Sequence, residues 1–277
     1  LSAYNFAIDG FVSECEKNNI VVKSIEDMAG RLENGKKIIA KYSGANDKPD
    51  LFLAVGVLAA TLARKTIKDV PVIFCMVVNY HRFHLEGPNI SGVASEVPEK
   101  DCLKIYKDII VDLKDIGVIY DPAKTENIIE NGRKSLSGLG LNLVSANVKS
   151  DKEVKTAIKS IIDQIDGLWL VPDSTVINED TFSFIYDPTI KNRVPILCTS
   201  DAFVKAGALI AVFPDYTGIG VEAGKIAAKI LKQGNIDSFD VKYPTKLKIA
   251  VNLETASKIK IKIPEKIKEL YDVVEYP

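Results

Sequence analysis

Short runs of Val, Ile and Leu recur along this chain, and the stretches between them carry apolar residues stepping by three and four. That alternation constrains the fold more than any other feature, because it calls for parallel strands joined by helices that pack on the sheet faces. Strands are expected at 20–24, 50–55, 70–78, 116–120, 141–148, 167–171, 194–199, 208–213 and 246–251. The clearest helix spans 151–165, where Val154, Ala157, Ile158, Ile161, Ile162 and Ile165 share one face and Ser150 or Asp151 stands ready to cap it. Leu103, Tyr106, Ile110 and Leu113 make a second such face. In 215–234, Gly220, Ala223, Gly224, Ala227 and Ala228 would let a helix lie close on a sheet, with Gly234 ending it. The strands are near-continuous apolar runs, as expected for sheets covered on both faces, so the fold class is α/β with doubly wound parallel sheets. Nine such runs exceed one ordinary sheet, and the polar segment 87–98 reads as a crossing between two lobes. The chain opens on a helix over 4–18 with no strand before it, which would leave a gap where a first, central strand normally lies.

Composition removes several function classes. A chain of 277 residues has room for one large or two medium domains. With 36 Lys+Arg against 37 Asp+Glu, it lacks the basic surplus of a nucleic-acid binder. No apolar run approaches the ~20 residues of a membrane span. No charged-then-apolar leader opens the sequence, so the protein is either cytosolic or written here without its export signal. Cys15, Cys75, Cys102 and Cys198 show neither a Cys-x-x-Cys pair nor a neighbouring His at zinc spacing, which argues against a metal site and a redox dithiol.

The chemical motifs are equally sparse. Gly138-Leu139-Gly140 follows a helix and precedes a strand, the reverse of a dinucleotide fingerprint, and reads as a helix C-cap. The segment 218–225 resembles a phosphate loop only superficially, since Ile219 and Ile226 occupy positions that need Gly and a hydroxyl. His81 and His84 are the only histidines and read as a solvated or ligand-facing loop. No nucleophile elbow, zinc-protease motif or carboxylate pair demands catalysis, so a binding protein without cofactor is expected rather than an enzyme.

What remains is a set of polar residues at strand carboxyl ends, where open α/β sheets take their ligands. Gly56 and Val57, Asn79 and Tyr80, Tyr120 and Asp121, Asp173, Ser174 and Thr175, and Ser200 and Asp201 occupy those positions. Amides, hydroxyls and carboxylates gathered there would suit a small zwitterion, though each residue alone serves equally well as an N-cap. Asp215 reads as a cap for the helix that follows it.

The runs 166–176, 194–196 and 204–209, Asp215-Tyr216 with Gly220, Asn252-Leu253-Glu254-Thr255-Ala256 and Ile263-Pro264 together resemble one family. It is that of ABC-importer substrate-binding proteins with the type I periplasmic-binding-protein fold, in a branch with members that bind tryptophan and other aromatic amino acids. The resemblance runs from about Ala7 to the C-terminus. It implies two lobes, 1–94 plus 206–240 and 95–205 plus 241–277, joined by a three-segment hinge that closes on the ligand. It also implies a membrane permease as partner, no nucleic acid, and a periplasmic or membrane-anchored extracellular location. Asp173 would take the ligand amine, Ser174 and Thr175 would add hydrogen bonds, Tyr80 and Tyr120 would wall the cleft, and the Gly56 and Val57 amides would hold a carboxylate. Two loops depart from the family pattern: Gly56-Val57-Leu58-Ala59 stands for Gly-Thr-Pro-Ala, and Val78-Asn79-Tyr80, followed by His81-Arg82-Phe83-His84, stands for Thr-Asp-Pro. Because the family carries a strand before the helix near Tyr4, the sequence is expected to lack its export signal and first strand. The alternative on the same fold is a ligand-sensing domain of a regulatory protein.

Overall fold

The structure is a computed structural model and describes residues 2–42, 48–178, 180–233 and 240–277. In chain order its elements are α1 (Ser2–Lys17), α2 (Leu32–Lys41), β1 (Phe52–Val55), α3 (Val57–Thr66), β2 (Val72–Val77), β3 (Ile90–Ala94), α4 (Glu99–Ile109), β4 (Asp115–Tyr120), α5 (Pro122–Leu139), β5 (Asn142–Asn147), α6 (Val154–Ile161), β6 (Gly167–Trp169), α7 (Phe182–Asn192), β7 (Ile196–Cys198), α8 (Asp201–Lys205), β8 (Ile210–Pro214), α9 (Tyr216–Gln233), β9 (Leu247–Asn252), α10 (Leu253–Ile259), α11 (Lys266–Leu270) and β10 (Asp272–Tyr276). They form two compact units, Leu1–Glu96 with Pro214–Lys246 and Val97–Phe213 with Leu247–Pro277. The chain crosses after residues 96, 213 and 246, against 94, 205 and 240 in the sequence reading. The largest offset has a structural cause: β8 hydrogen-bonds to β7 and therefore belongs with the second unit's sheet.

In the first unit β1, β2 and β3 pair in that order, all parallel. Successive side chains of β2 feed opposite faces. Ile73 and Cys75 join Val93 and the buried faces of α1 and α9, whereas Val72 and Phe74 join Ile90 and α3. Every residue of β2 is buried, so this sheet is covered on both sides, and each fully buried aliphatic or Phe side chain contributes about 1.5–3 kcal/mol. Lys242 extends the sheet beyond β3, exchanging backbone bonds with Gly92 and Ala94. The small residues of α9 serve two contacts: Ala223 and Ala227 join the cluster with Ile73, Cys75 and Val93 of the sheet, as expected, while a Cβ on Gly220 would collide with the backbone of Ala7 and Phe11 in α1, and one on Gly10 with that of Thr217. The expected C-cap Gly234 lies outside the described residues.

The run at 20–24 does not form a strand. Ile20 and Val22 pack on the core while Val21 is exposed, an alternation suited to a strand, but a strand also needs a neighbour. Among the described residues β1 pairs only with β2.

The second unit's sheet has seven strands in the order β10-β9-β8-β7-β6-β4-β5, and every pair with a defined register is parallel. Its largest cluster joins Leu103, Tyr106 and Ile109 of α4, Ile128 and Ile129 of α5, and the inner side chains Ile116, Val118, Trp169, Leu197, Ile210 and Ile249. Gly132 of α5 lies directly on the Trp169 ring, and on the other face Gly117 of β4 lies against Ile161 and Ile165. Gly140 ends α5 in the left-handed conformation, as its C-cap reading requires. The strands β3 and β10 are additions to the sequence reading: β3 lies inside the polar segment 87–98 that reads as a lobe crossing.

Candidate functional site

The second unit's strand order reverses at one place. From β4 the chain moves outward to β5, then returns to lay β6 on the other side of β4. The loops leaving the carboxyl ends of β4 and β6 therefore flank the switch in strand order, the position at which sheets of this kind bind ligands. Asp121 and Pro122 follow β4, giving α5 its N-cap and a proline in its first turn: Asp121 Oδ1 accepts from Ala123 N at 3.0 Å. After β6 the chain runs through Val171 and Pro172 into the turn of Asp173, Ser174 and Thr175.

These two loops are tied by their own polar groups. Asp173 Oδ2 accepts from the backbone N of Asp121 at 2.8 Å and from Thr125 Oγ1 at 2.6 Å, and its Oδ1 accepts from the backbone N of Thr175 at 2.8 Å. Thr175 Oγ1 donates to Asp121 Oδ2 at 2.8 Å, closing the lattice in the opposite direction. Asp173 is 1% exposed, Thr175 7% and Asp121 8%. Outside this buried layer, Lys124 Nζ donates to Ser174 Oγ at 2.9 Å, so an exposed pair again bridges the β4 and β6 loops.

Three expected ligand contacts, Asp173, Ser174 and Thr175, are thus together, but Asp173 and Thr175 spend their polar atoms on the protein. Tyr120 is also turned inward: it is 3% exposed and donates to Glu126 Oε1 at 3.4 Å. Burial, with Glu126 second, raises its phenol above the ordinary value. Ser200 and Asp201 lie at the end of β7, one strand along. Ser200 caps α8, and Asp201 accepts from Lys205 at 2.8 Å and from the Tyr276 hydroxyl at 3.2 Å. Lys124 and Thr125 lie within the stretch 120–127 that the family resemblance places at the cleft, although neither is named individually there; the Asp-Pro helix start fixes their place in the first turn.

The first unit's strand ends differ from expectation. The Gly56 amide, expected to hold a carboxylate, donates to the Cys75 carbonyl at 2.9 Å. Gly56 itself has φ 86° with the Tyr4 ring against its α-carbon, leaving no room for a side chain. Val57 is exposed. Asn79 adopts a left-handed φ of 53°, and its backbone N donates to Glu96 Oε2 at 3.0 Å. Tyr80 is 5% exposed and packs with Phe74, so it is a core residue rather than an open aromatic wall. Burial, then its hydrogen bond with Tyr243, raises its phenol well above the usual range. His81 Nδ1 stands 3.4 Å from Glu86 Oε1, and among the described residues no group of three or more His, Cys, Asp or Glu could hold a metal ion. Among them, too, no helix is long and apolar enough to cross a membrane.

A tyrosine-binding protein of Clostridioides difficile strain R20291 is 24% identical over 228 residues, 79% of this chain but only 65% of that protein's length. The ligand-free, open structure of a Clostridium difficile substrate-binding protein with adhesive properties superposes with a TM-score of 0.83 at 23% identity, covering 100% of this chain and 96% of that one. A Streptococcus pneumonia ABC domain in complex with L-Trp gives a TM-score of 0.72 at 20% identity, covering 98% and 95%. Both structural likenesses establish the shared two-lobed α/β fold. Residues 16–274 match the family described as ABC transporter substrate binding protein, a family of binding proteins rather than enzymes. With nearly its whole length inside that match, the chain belongs to the ABC transporter substrate-binding proteins.

Proposed function

We propose that this chain is the extracytoplasmic receptor of an ABC importer, capturing a small amino-acid-like ligand and passing it to a membrane permease. The observation that carries the reading is the lattice of Asp121, Thr125, Asp173 and Thr175, which ties the β4 and β6 loops to each other at the switch in strand order. A preorganised site loses less ordering entropy on binding than one assembled around its ligand. The tyrosine-binding relative and the L-Trp complex support an aromatic amino acid as the first class to try. Capture by closing of the two units about their three chain crossings, and tethering to the outer face of a membrane, belong to the same proposal.

A thermal-shift panel of L-tyrosine, L-tryptophan, L-phenylalanine, aliphatic amino acids and small organic acids tests the reading. A true ligand at 100 times its dissociation constant stabilises by about 2.7 kcal/mol. That should raise Tm by several degrees in a chain of this size. Small-angle scattering should then show the radius of gyration falling on ligand addition. A panel without a single shift would remove the receptor reading.

A further inference from the structure

We infer that Lys124 is the specificity-determining residue of the second unit's half of the site, and that it reads a carboxylate of the ligand; Asp173 is a positioning residue behind it. The inference deepens the receptor reading and rests on it.

A zwitterionic ligand needs an acceptor for its amine and a donor for its acid group. At the β4/β6 switch the obvious acceptors are the carboxylates of Asp121 and Asp173, and both lie in the buried layer. Asp173, 1% exposed, accepts from two backbone amides and the Thr125 hydroxyl, and Asp121, 8% exposed, accepts from Ala123 N and Thr175 Oγ1. Neither offers the surface an ammonium group would need. The groups carried outward are the Lys124 ammonium and the Ser174 hydroxyl, 2.9 Å apart, one from each side of the switch in strand order. An ammonium has three protons to donate, and the hydroxyl that accepts one of them still has its own to pass on. Two such donors side by side match the two oxygens of a carboxylate. The Asp173 lattice fixes the β6 turn against α5, and this holds Ser174 and Lys124 at their spacing. Recognition by this unit therefore depends on the ligand's acid group and not on its amine.

Calorimetric titration of the whole protein with L-tyrosine, 3-(4-hydroxyphenyl)propionate, which lacks the amine, and tyramine, which lacks the acid, tests the inference. The propionate should bind within about 10-fold of L-tyrosine and tyramine at least 100-fold more weakly. Charge-assisted hydrogen bonds are strong enough that Lys124→Met should weaken both acids by about 10- to 100-fold. Lys124→Arg should recover most of the loss, and the ligand-free Tm should stay within about 1 °C in both variants. Binding of tyramine in preference to the propionate would overturn the inference while leaving the receptor intact. So would a Lys124→Met protein with unchanged affinity and a Tm several degrees lower, which would make Lys124 only a counter-ion to the buried carboxylates. Failure of every amino acid and organic acid of the thermal-shift panel to bind would overturn the receptor reading itself, and the inference with it.

Discussion

Asp173 carries a carboxylate with almost no surface, and three protein donors point at it. Removing an acceptor strands buried donors at about 1–3 kcal/mol each. Asp173→Ala should therefore destabilise the protein by about 3 kcal/mol or more in denaturant titration, and Thr125→Val, which removes a single donor, by only about 1–2 kcal/mol. The thiols give a second prediction. Cys75 and Cys198 are fully buried, and desolvation pushes them up to about 12. A thiol raised in the folded state and ordinary in the unfolded one stabilises fully below its unfolded value. Stability should accordingly decline as pH climbs from about 9 towards 12, by up to ~1.4 kcal/mol per pH unit for each such thiol. At pH 8 a thiol reagent should label these cysteines only after denaturation. At this scale the sequence disclosed which residues lie at the strand ends but not their employment. The donors to Asp173 include Asp121 and Thr125, far away in sequence, and only the meeting of the β4 and β6 loops brings them within reach.

Helices and strands were legible wherever burial made them monotonous. The unbroken apolar run of β2 and the one-faced pattern of α6 announce themselves, because every side chain on the buried surface must be apolar. The strand β3 escapes notice since Ser91 and Gly92 interrupt it. Both are buried, and Gly92 is required by contact with the carbonyl and ring of Phe74 on the neighbouring strand. The strand β10 escapes for the opposite reason: it is an edge, half-exposed and bounded by Asp272 and Tyr276. The small-residue face of α9 signals close packing, but that its glycines meet α1 follows only from the three-dimensional structure. A matched pair of substitutions isolates that contact. Gly220→Ala should cost about 3 kcal/mol or more, because its methyl meets backbone atoms of α1 that cannot yield separately. Gly138→Ala, in α5 with nothing within 4 Å of the new atom, should stabilise by about 0.5–1 kcal/mol. Thermal or chemical unfolding of the two variants should move in opposite directions.

At the scale of the whole molecule, the two units are interleaved along the chain, and the first unit is completed only by residues from beyond 213. Ile219, Ala223, Ile226, Ala227 and Ile230 of α9 supply much of the cluster beneath α1. A fragment ending at residue 213 keeps every strand of the first unit yet loses that layer. Limited proteolysis should cut it within the first 96 residues at protease levels that leave the full chain intact. The uneven distribution of aromatic residues has an optical consequence. Trp169 is the single tryptophan among ten tyrosines, it is 2% exposed, and its indole nitrogen has no hydrogen-bond partner among the described residues. Excited at the red edge, where tyrosine is silent, the whole protein becomes one fluorophore in a dry setting, pressed against Gly132 of the helix that carries Lys124. Any event that shifts that helix will be written in the colour of the chain's own light, with no dye attached.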